Sequence, residues 1–260
     1  MADFDNRLVR GAATGDVTID AGLRAYMLRV YNYMLVGLGL TGGVAWLTAN
    51  TPLVHVFYNE IITANGIAIQ PNILGWIAIF APLGLVLLLS FRIQSMSTAA
   101  AQATFWGYAA LVGVSLTTIL FRYTDASIAM TFFVTAGTFG AMSLYGYTTQ
   151  RDLTGMGSFL MMGLFGLMIA MVAGFFFQSS ALQFAISVLG VLIFTGLTAW
   201  DTQAIKNMYY GAAPSRGGMM GRAVAGGTEQ DKLAIIGALR LYLDFLNLFL
   251  FMLRFMGNRR

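Results

Sequence analysis

Long uncharged stretches alternate with short charged ones along this chain. With His55 taken as neutral, residues 30–59, 61–91, 93–121, 126–150 and 153–200 carry no formal charge. A helix that crosses a bilayer needs about 20 predominantly apolar residues. The first four gaps predict spans at about 26–48, 73–91, 103–121 and 128–147. The fifth is 48 residues long, too long for one crossing, and is broken by the polar turn signal Gln178-Ser179-Ser180. It predicts spans at about 158–177 and 181–204, the last because Ile205-Lys206 suggests that the sixth helix continues past Asp201. A seventh, at about 233–256, differs in kind because it contains Arg240, Asp244 and Arg254. The pattern predicts an all-α integral membrane protein: a polar tail over 1–25 and one transmembrane domain over 26–260.

Composition agrees with the pattern. Of 260 residues, 58% are hydrophobic and 10% charged, whereas a soluble domain carries about 25% charged residues. That balance excludes an ordinary cytosolic enzyme, a disordered chain and a nucleic-acid module. The absence of cysteine excludes disulfides and thiolate chemistry, and a single histidine excludes a multi-histidine metal site. No histidine accompanies the scattered Ser and Thr residues as a base, and no phosphate-cradling glycine motif is present. A hydrolase and an ATP-driven pump therefore lack their machinery, no enzyme is expected, and no tightly bound cofactor is implied. Neither a signal peptide nor a lipidation motif is expected from the two ends.

Charge then orients the chain. With seven spans, the side of the N-terminus holds ten Lys and Arg residues, among them Arg24, Arg29, Arg92, Arg151 and Lys206. The other side holds four: Arg122, Arg254, Arg259 and Arg260. This bias puts the N-terminus in the cytoplasm. The basic C-terminal end leaves two readings open, a last helix that crosses and one that does not. The 202–232 segment reads as a loop, flexible in its Gly-rich middle. Thr228-Glu229-Gln230-Asp231 reads as a capping box that opens the last helix. Small residues at helical spacing, Gly39 and Gly43, Ala109 and Gly113, Ala136 and Gly140, read as helix packing.

Nine of the eleven acidic residues lie in tails or loops; Asp201 and Asp244 do not. Asp244 is roughly 16 Å along the last span, near mid-bilayer. A carboxylate facing lipid there costs at least about 2.5–3.5 kcal/mol, so it should face the bundle interior and have a partner. Asp201, Arg92 and Arg240 are the candidates. Arg240 lies four residues before Asp244 and can pair with it along one helix face. Arg92, ending the second span, reads as a border residue that snorkels. If the two carboxylates meet in a dry site, they cannot both ionise cheaply and share one proton. Ionised, the pair attracts an arginine or a hard cation such as Ca²⁺, making a transient metal site of Asp201 and Asp244. His55 with Glu60, and Arg122 with Asp125, read as interfacial or solvated side chains.

The segment Ala238-Leu239-Arg240-Leu241-Tyr242-Leu243-Asp244-Phe245-Leu246-Asn247 resembles the C-terminal signature of the Bax-inhibitor (transmembrane Bax inhibitor motif) family. Trp200-Asp201-Thr202-Gln203 resembles its aspartate motif, and Phe91-Arg92 its arginine position. The resemblance covers nearly the whole chain and points to a bacterial member in the inner membrane. It implies seven helices with the C-terminal one central, surrounded by the other six. It further implies a pH-sensitive calcium leak, with Asp201 and Asp244 as the proton-sharing pair and Arg92 as the latch on Asp201. Protons would be the regulator and calcium the permeant ion. The alternative is a non-transporting regulator of a membrane-anchored protease, working through the 202–232 segment and the N-terminal tail.

Overall fold

The computed structural model describes residues 2–63, 66–177, 179–212 and 227–259. The element order is α1 (Ala2–Asn50), α2 (Val54–Phe57), β1 (Tyr58–Thr63), β2 (Gly66–Pro71), α3 (Ile73–Arg92), α4 (Thr98–Arg122), α5 (Asp125–Thr148), α6 (Thr154–Phe176), α7 (Ser180–Ala212) and α8 (Gly227–Met256). Seven helical stretches are long and apolar enough to cross a membrane: Ala21–Asn50, Ile73–Arg92, Thr98–Arg122, Asp125–Thr148, Thr154–Gly174, Ser180–Gly211 and Gln230–Met256. The protein is an all-α integral membrane protein.

Polar caps start several of these helices where the hydrophobic pattern alone gives only an approximate boundary. The Asn72 side chain accepts from the Gly75 N–H at 3.0 Å at the head of α3, and Ser97 Oγ from the Ala100 N–H at 3.1 Å at the head of α4. These bonds satisfy backbone donors that a helix start leaves without partners. Ser179, in the turn predicted between the fifth and sixth spans, accepts from the Leu182 N–H at the start of α7.

The surface is inverted relative to a soluble protein. Ile73, Phe91, Phe133, Phe159 and Phe176 are exposed, whereas Thr41, Thr117, Thr131, Thr135, Ser143, Thr198, Thr202, Gln203, Asp201 and Asp244 are buried. With hydrocarbon as solvent, apolar side chains lose nothing outside and polar ones must find partners within. The last span is the most interior: 67% of its apolar stretch is buried, against 11–39% in the other six. α8 packs mainly on α1, α4, α5 and α7, while α3 lies on α4 and α6 on α7. Its principal neighbours are thus four helices, with α3 and α6 placed one layer out.

Three details depart from the sequence reading. The connection after the first span contains an antiparallel hairpin, β1 with β2, in the register Tyr58 to Pro71 and Glu60 to Ile69. Tyr58 anchors it: the side chain is buried, and its hydroxyl donates to the Val114 carbonyl of α4 at 2.7 Å. Burial pushes the Tyr58 phenol up to about 12. The second departure is the length of α7, which runs to Ala212. Together with the start of α8 at Gly227, it reduces the 202–232 loop to residues 213–226, which lie outside those described. The third is the capping box. α8 begins before Thr228, whose side chain is outside the described set, and Asp231 reaches across to Arg29 of α1 in an ion pair.

At the far end, the C-terminal residues are tied to the α4–α5 turn. Tyr123 and Arg259 form an antiparallel bridge, and the Thr124 N–H donates to the Asn258 carbonyl at 3.1 Å. Of the two readings of the C-terminus, the structure has α8 run the full length of the bundle, from the Arg29–Asp231 end to the end that holds Tyr123.

Close helix approach depends on particular glycines. A Cβ on Gly146 of α5 would stand 2.2 Å from the Ala199 carbonyl oxygen of α7, and one on Gly113 of α4 would stand 2.6 Å from the Thr41 carbonyl of α1. Of the predicted small-residue pairs, Gly113 lies at such a contact, while Gly39, Gly43 and Gly140 face open space. Gly146→Ala should therefore cost about 1–3 kcal/mol through overpacking. Gly137→Ala, on the same helix but with nothing within 4 Å, should leave stability nearly unchanged. Thermal unfolding of the two variants in detergent micelles checks the contrast.

Candidate functional site

The two embedded aspartates meet. Asp201 is on α7 and Asp244 on α8, both buried (8% and 4% exposed), and their carboxyl groups stand within hydrogen-bonding reach of one another. Because α7 continues eleven residues beyond Asp201 to Ala212, this aspartate is an interior residue rather than a helix terminus. A helix-end carboxylate would oppose the macrodipole; placed mid-helix, Asp201 avoids that penalty and instead faces α8.

The cation that holds the pair is Arg240. Its Nη1 donates to Asp201 Oδ1 at 3.1 Å, with the Arg240 side chain 40% exposed and that of Asp201 12%. The sequence reading that paired Arg240 with Asp244 along one face of α8 is replaced by a pairing between helices. Arg240 remains close enough to Asp244 to act on it electrostatically. Arg92 lies elsewhere. It is exposed at the C-terminal end of α3, a helix that packs on α4 rather than on α8. The structure thus brings together Asp201, Asp244 and Arg240, but not Arg92.

Two buried side-chain polar atoms have no hydrogen-bond partner among the described residues: Asp244 Oδ2 and the Tyr26 hydroxyl. Arg240 acts electrostatically on both residues. Unpaired buried polar atoms are rare and costly, so each one calls for an explanation. Here both border the same arginine. Among the described residues no group of three His, Asp or Glu side chains converges into a metal cage, so His55 and Glu60 form none.

The residues that flank Asp201 position it. Thr202 Oγ1 donates to the Thr198 carbonyl at 2.7 Å and accepts from Ser143 Oγ of α5 at 2.9 Å; Ser143 in turn is hydrogen-bonded to the Tyr31 hydroxyl of α1. Gln203 clamps the α5–α6 connection, accepting from the Leu153 N–H and donating to the Arg151 carbonyl, each at 2.8 Å. In that connection, the Thr154 hydroxyl and N–H hold the Asp152 carboxyl below its ordinary range. Lys206 donates to the Tyr147 carbonyl at 2.9 Å, at the end of α5. On α8, the buried Tyr242 hydroxyl lies 2.6 Å from Thr41 Oγ1, which is 2.9 Å from the Ala109 carbonyl. That chain of bonds fixes α8 to α1 and α4 two residues from Asp244. In the sequence, Thr202 and Gln203 stand out only as part of the Trp200-Asp201-Thr202-Gln203 motif. Their polar character inside an apolar span was the available signal.

The sequence pattern of a family described as inhibitor of apoptosis-promoting Bax1 matches residues 23–260. The chain is 47% identical to uncharacterized protein RP147 of Rickettsia prowazekii, with both chains covered in full. It is 44% identical to an uncharacterized protein of Caulobacter vibrioides, again over both whole chains. Inner membrane protein YbhL of Escherichia coli K12 is 46% identical, over 92% of this chain and 94% of that one.

If Arg240 holds the pair and Arg92 does not, their replacements should differ. Arg240→Gln should lower stability by about 1–2 kcal/mol, because an Asp201 oxygen loses a charged donor in a partly buried place where solvent screens some of the loss. Arg92→Gln should leave the unfolding midpoint in detergent where it was.

Proposed function

We propose, for a chain that belongs to the family of inhibitors of apoptosis-promoting Bax1, that it acts in the bacterial inner membrane as a proton-sensitive leak for cations, calcium foremost. Its N-terminus faces the cytoplasm in this reading, following the ten-to-four bias of Lys and Arg. One observation carries the reading: Asp244 Oδ2 is buried and unpartnered, beside a second carboxylate.

Chemistry supplies the rest. A carboxylate oxygen without a donor is completed by a proton or by a hard cation, and the two compete for the same lone pairs. With one proton between them, Asp201 and Asp244 make a hydrogen bond that joins α7 to α8. Without it, two negative charges face each other and only Arg240 compensates. The repulsion then favours separation of the two helices and the entry of a cation. Calcium takes six to eight oxygen ligands when it is bound durably, and a two-carboxylate site offers too few to retain it. Brief occupancy suits passage rather than storage. The role is not enzymatic, and the pathway is passive, since no nucleotide-binding motif is present to drive it.

The test is calcium entry into liposomes that contain the purified protein, measured across a pH series. Asp201→Asn and Asp244→Asn should each flatten the dependence of flux on pH. Each should also change its magnitude by roughly tenfold or more, since a charged hydrogen bond is at stake. Flux and pH profile that are unchanged in both variants would remove the pair from the pathway.

A further inference from the structure

Three arginines converge at the end of the bundle that holds the C-terminal residues. Arg122 closes α4, Arg254 lies in the last turn of α8, and Arg259 follows it. All three are exposed and line one cavity of about 430 Å³. A cation at a helix C-terminus complements the macrodipole, which accounts for Arg122 and Arg254 singly but not for their meeting. None of the described residues that line the cavity is acidic. The arrangement also runs against the rest of the chain. By the charge pattern of the sequence, ten Lys and Arg residues belong to the opposite side and four to this one, and three of those four line the cavity.

The corner is held in place by backbone. Besides the Tyr123–Arg259 bridge and the Thr124–Asn258 bond, the Asn258 N–H donates to Ser127 Oγ at 2.9 Å. The cavity has two characters. Its lining includes the exposed arginines and the exposed Gln183, from the first turn of α7, together with Leu250 and Leu253 of the apolar span of α8. Three guanidinium groups around a cavity with no carboxylate among its described lining residues suit a multiply hydrogen-bonding anion, and phosphate matches their donor geometry.

We propose that this cavity binds a phosphate group, presented by the headgroup of a phospholipid in the adjacent leaflet or by free phosphate. The apolar wall below the arginines favours the lipid, whose acyl chain it accommodates. The site stands at the opposite end of α8 from Arg29 and Asp231 and shares no residue with the aspartate pair.

Native mass spectrometry of the full-length protein, released from detergent, tests this. Dioleoylphosphatidylglycerol and dioleoylglycerol, which has the same chains without the phosphate, are titrated separately. The phosphatidylglycerol should bind at least roughly tenfold more tightly, and Arg122→Gln and Arg254→Gln should each weaken it by several-fold to roughly tenfold. Arg254→Lys should restore part of the loss, which separates lost charge from misfolding. Arg151→Gln, at the other end of the bundle, should leave binding unchanged. Titration with inorganic phosphate distinguishes the sources: failure to displace the lipid assigns the site to the phospholipid, and full displacement assigns it to the free anion. Equal binding of the two lipids with no binding of phosphate would overturn the proposal, as would Gln variants that bind phosphatidylglycerol like the wild type.

Discussion

A carboxylate in the middle of a membrane span is the constraint around which this bundle is organised. Asp244 cannot face lipid, so α8 must be covered by other helices. α8 is the most buried of the seven spans, and α1, α4, α5 and α7 are its neighbours. The same constraint accounts for the polar residues inside. Thr41 and Tyr242 tie α8 to α1 and α4, and Ser143, Tyr31 and Thr202 tie α5, α1 and α7 together, so the pair sits in a frame whose backbones are cross-linked by hydroxyls. Glycines do the complementary work, letting α5 approach α7 closely at Gly146 and Ala199, two residues from Asp201.

The balance of charge at the site is uneven, and the unevenness is informative. One arginine serves two aspartates and bonds to only one of them. A fully compensated pair would be a structural bridge. Among the described residues, this one leaves Asp244 Oδ2 and the Tyr26 hydroxyl without hydrogen-bond partners, and Arg240 acts electrostatically on both residues. In the proposed function, a proton or a passing cation completes that carboxylate oxygen. The arginine cavity at the opposite end is unlike it: its three arginines are exposed, and no acidic residue is among those that line it.

Much of this was legible in the sequence, for a physical reason. In a membrane chain charge is scarce, so gaps in charge mark spans and exceptions mark sites. Asp201 and Asp244 stand out by position alone. What stayed hidden depends on tertiary choice. Arg240 has a local partner four residues away and a distant one on α7, and spacing along a helix cannot decide between them. The hairpin carries a sequence signal, Asn65-Gly66 between two isoleucine-containing runs, but a reading made for long helices passes over elements of six residues. The roles of Gln203 and Lys206 depend on which connection lies beside them, and that is a property of the packed bundle. Phe91-Arg92 resembles the family's arginine position, yet its helix packs on α4, one layer out from α8.

The central claim is that Asp201 and Asp244 act as one titrating unit with Arg240 beside it. Infrared difference spectroscopy of the protein in lipid, with pH as the perturbation, reads this directly through the carboxyl stretching bands. The account predicts one carboxyl band that appears and disappears with pH, and that is shifted or lost in Asp201→Asn and Asp244→Asn alike, because the proton belongs to both. Two bands that titrate independently, each removed by one variant and untouched by the other, would contradict it.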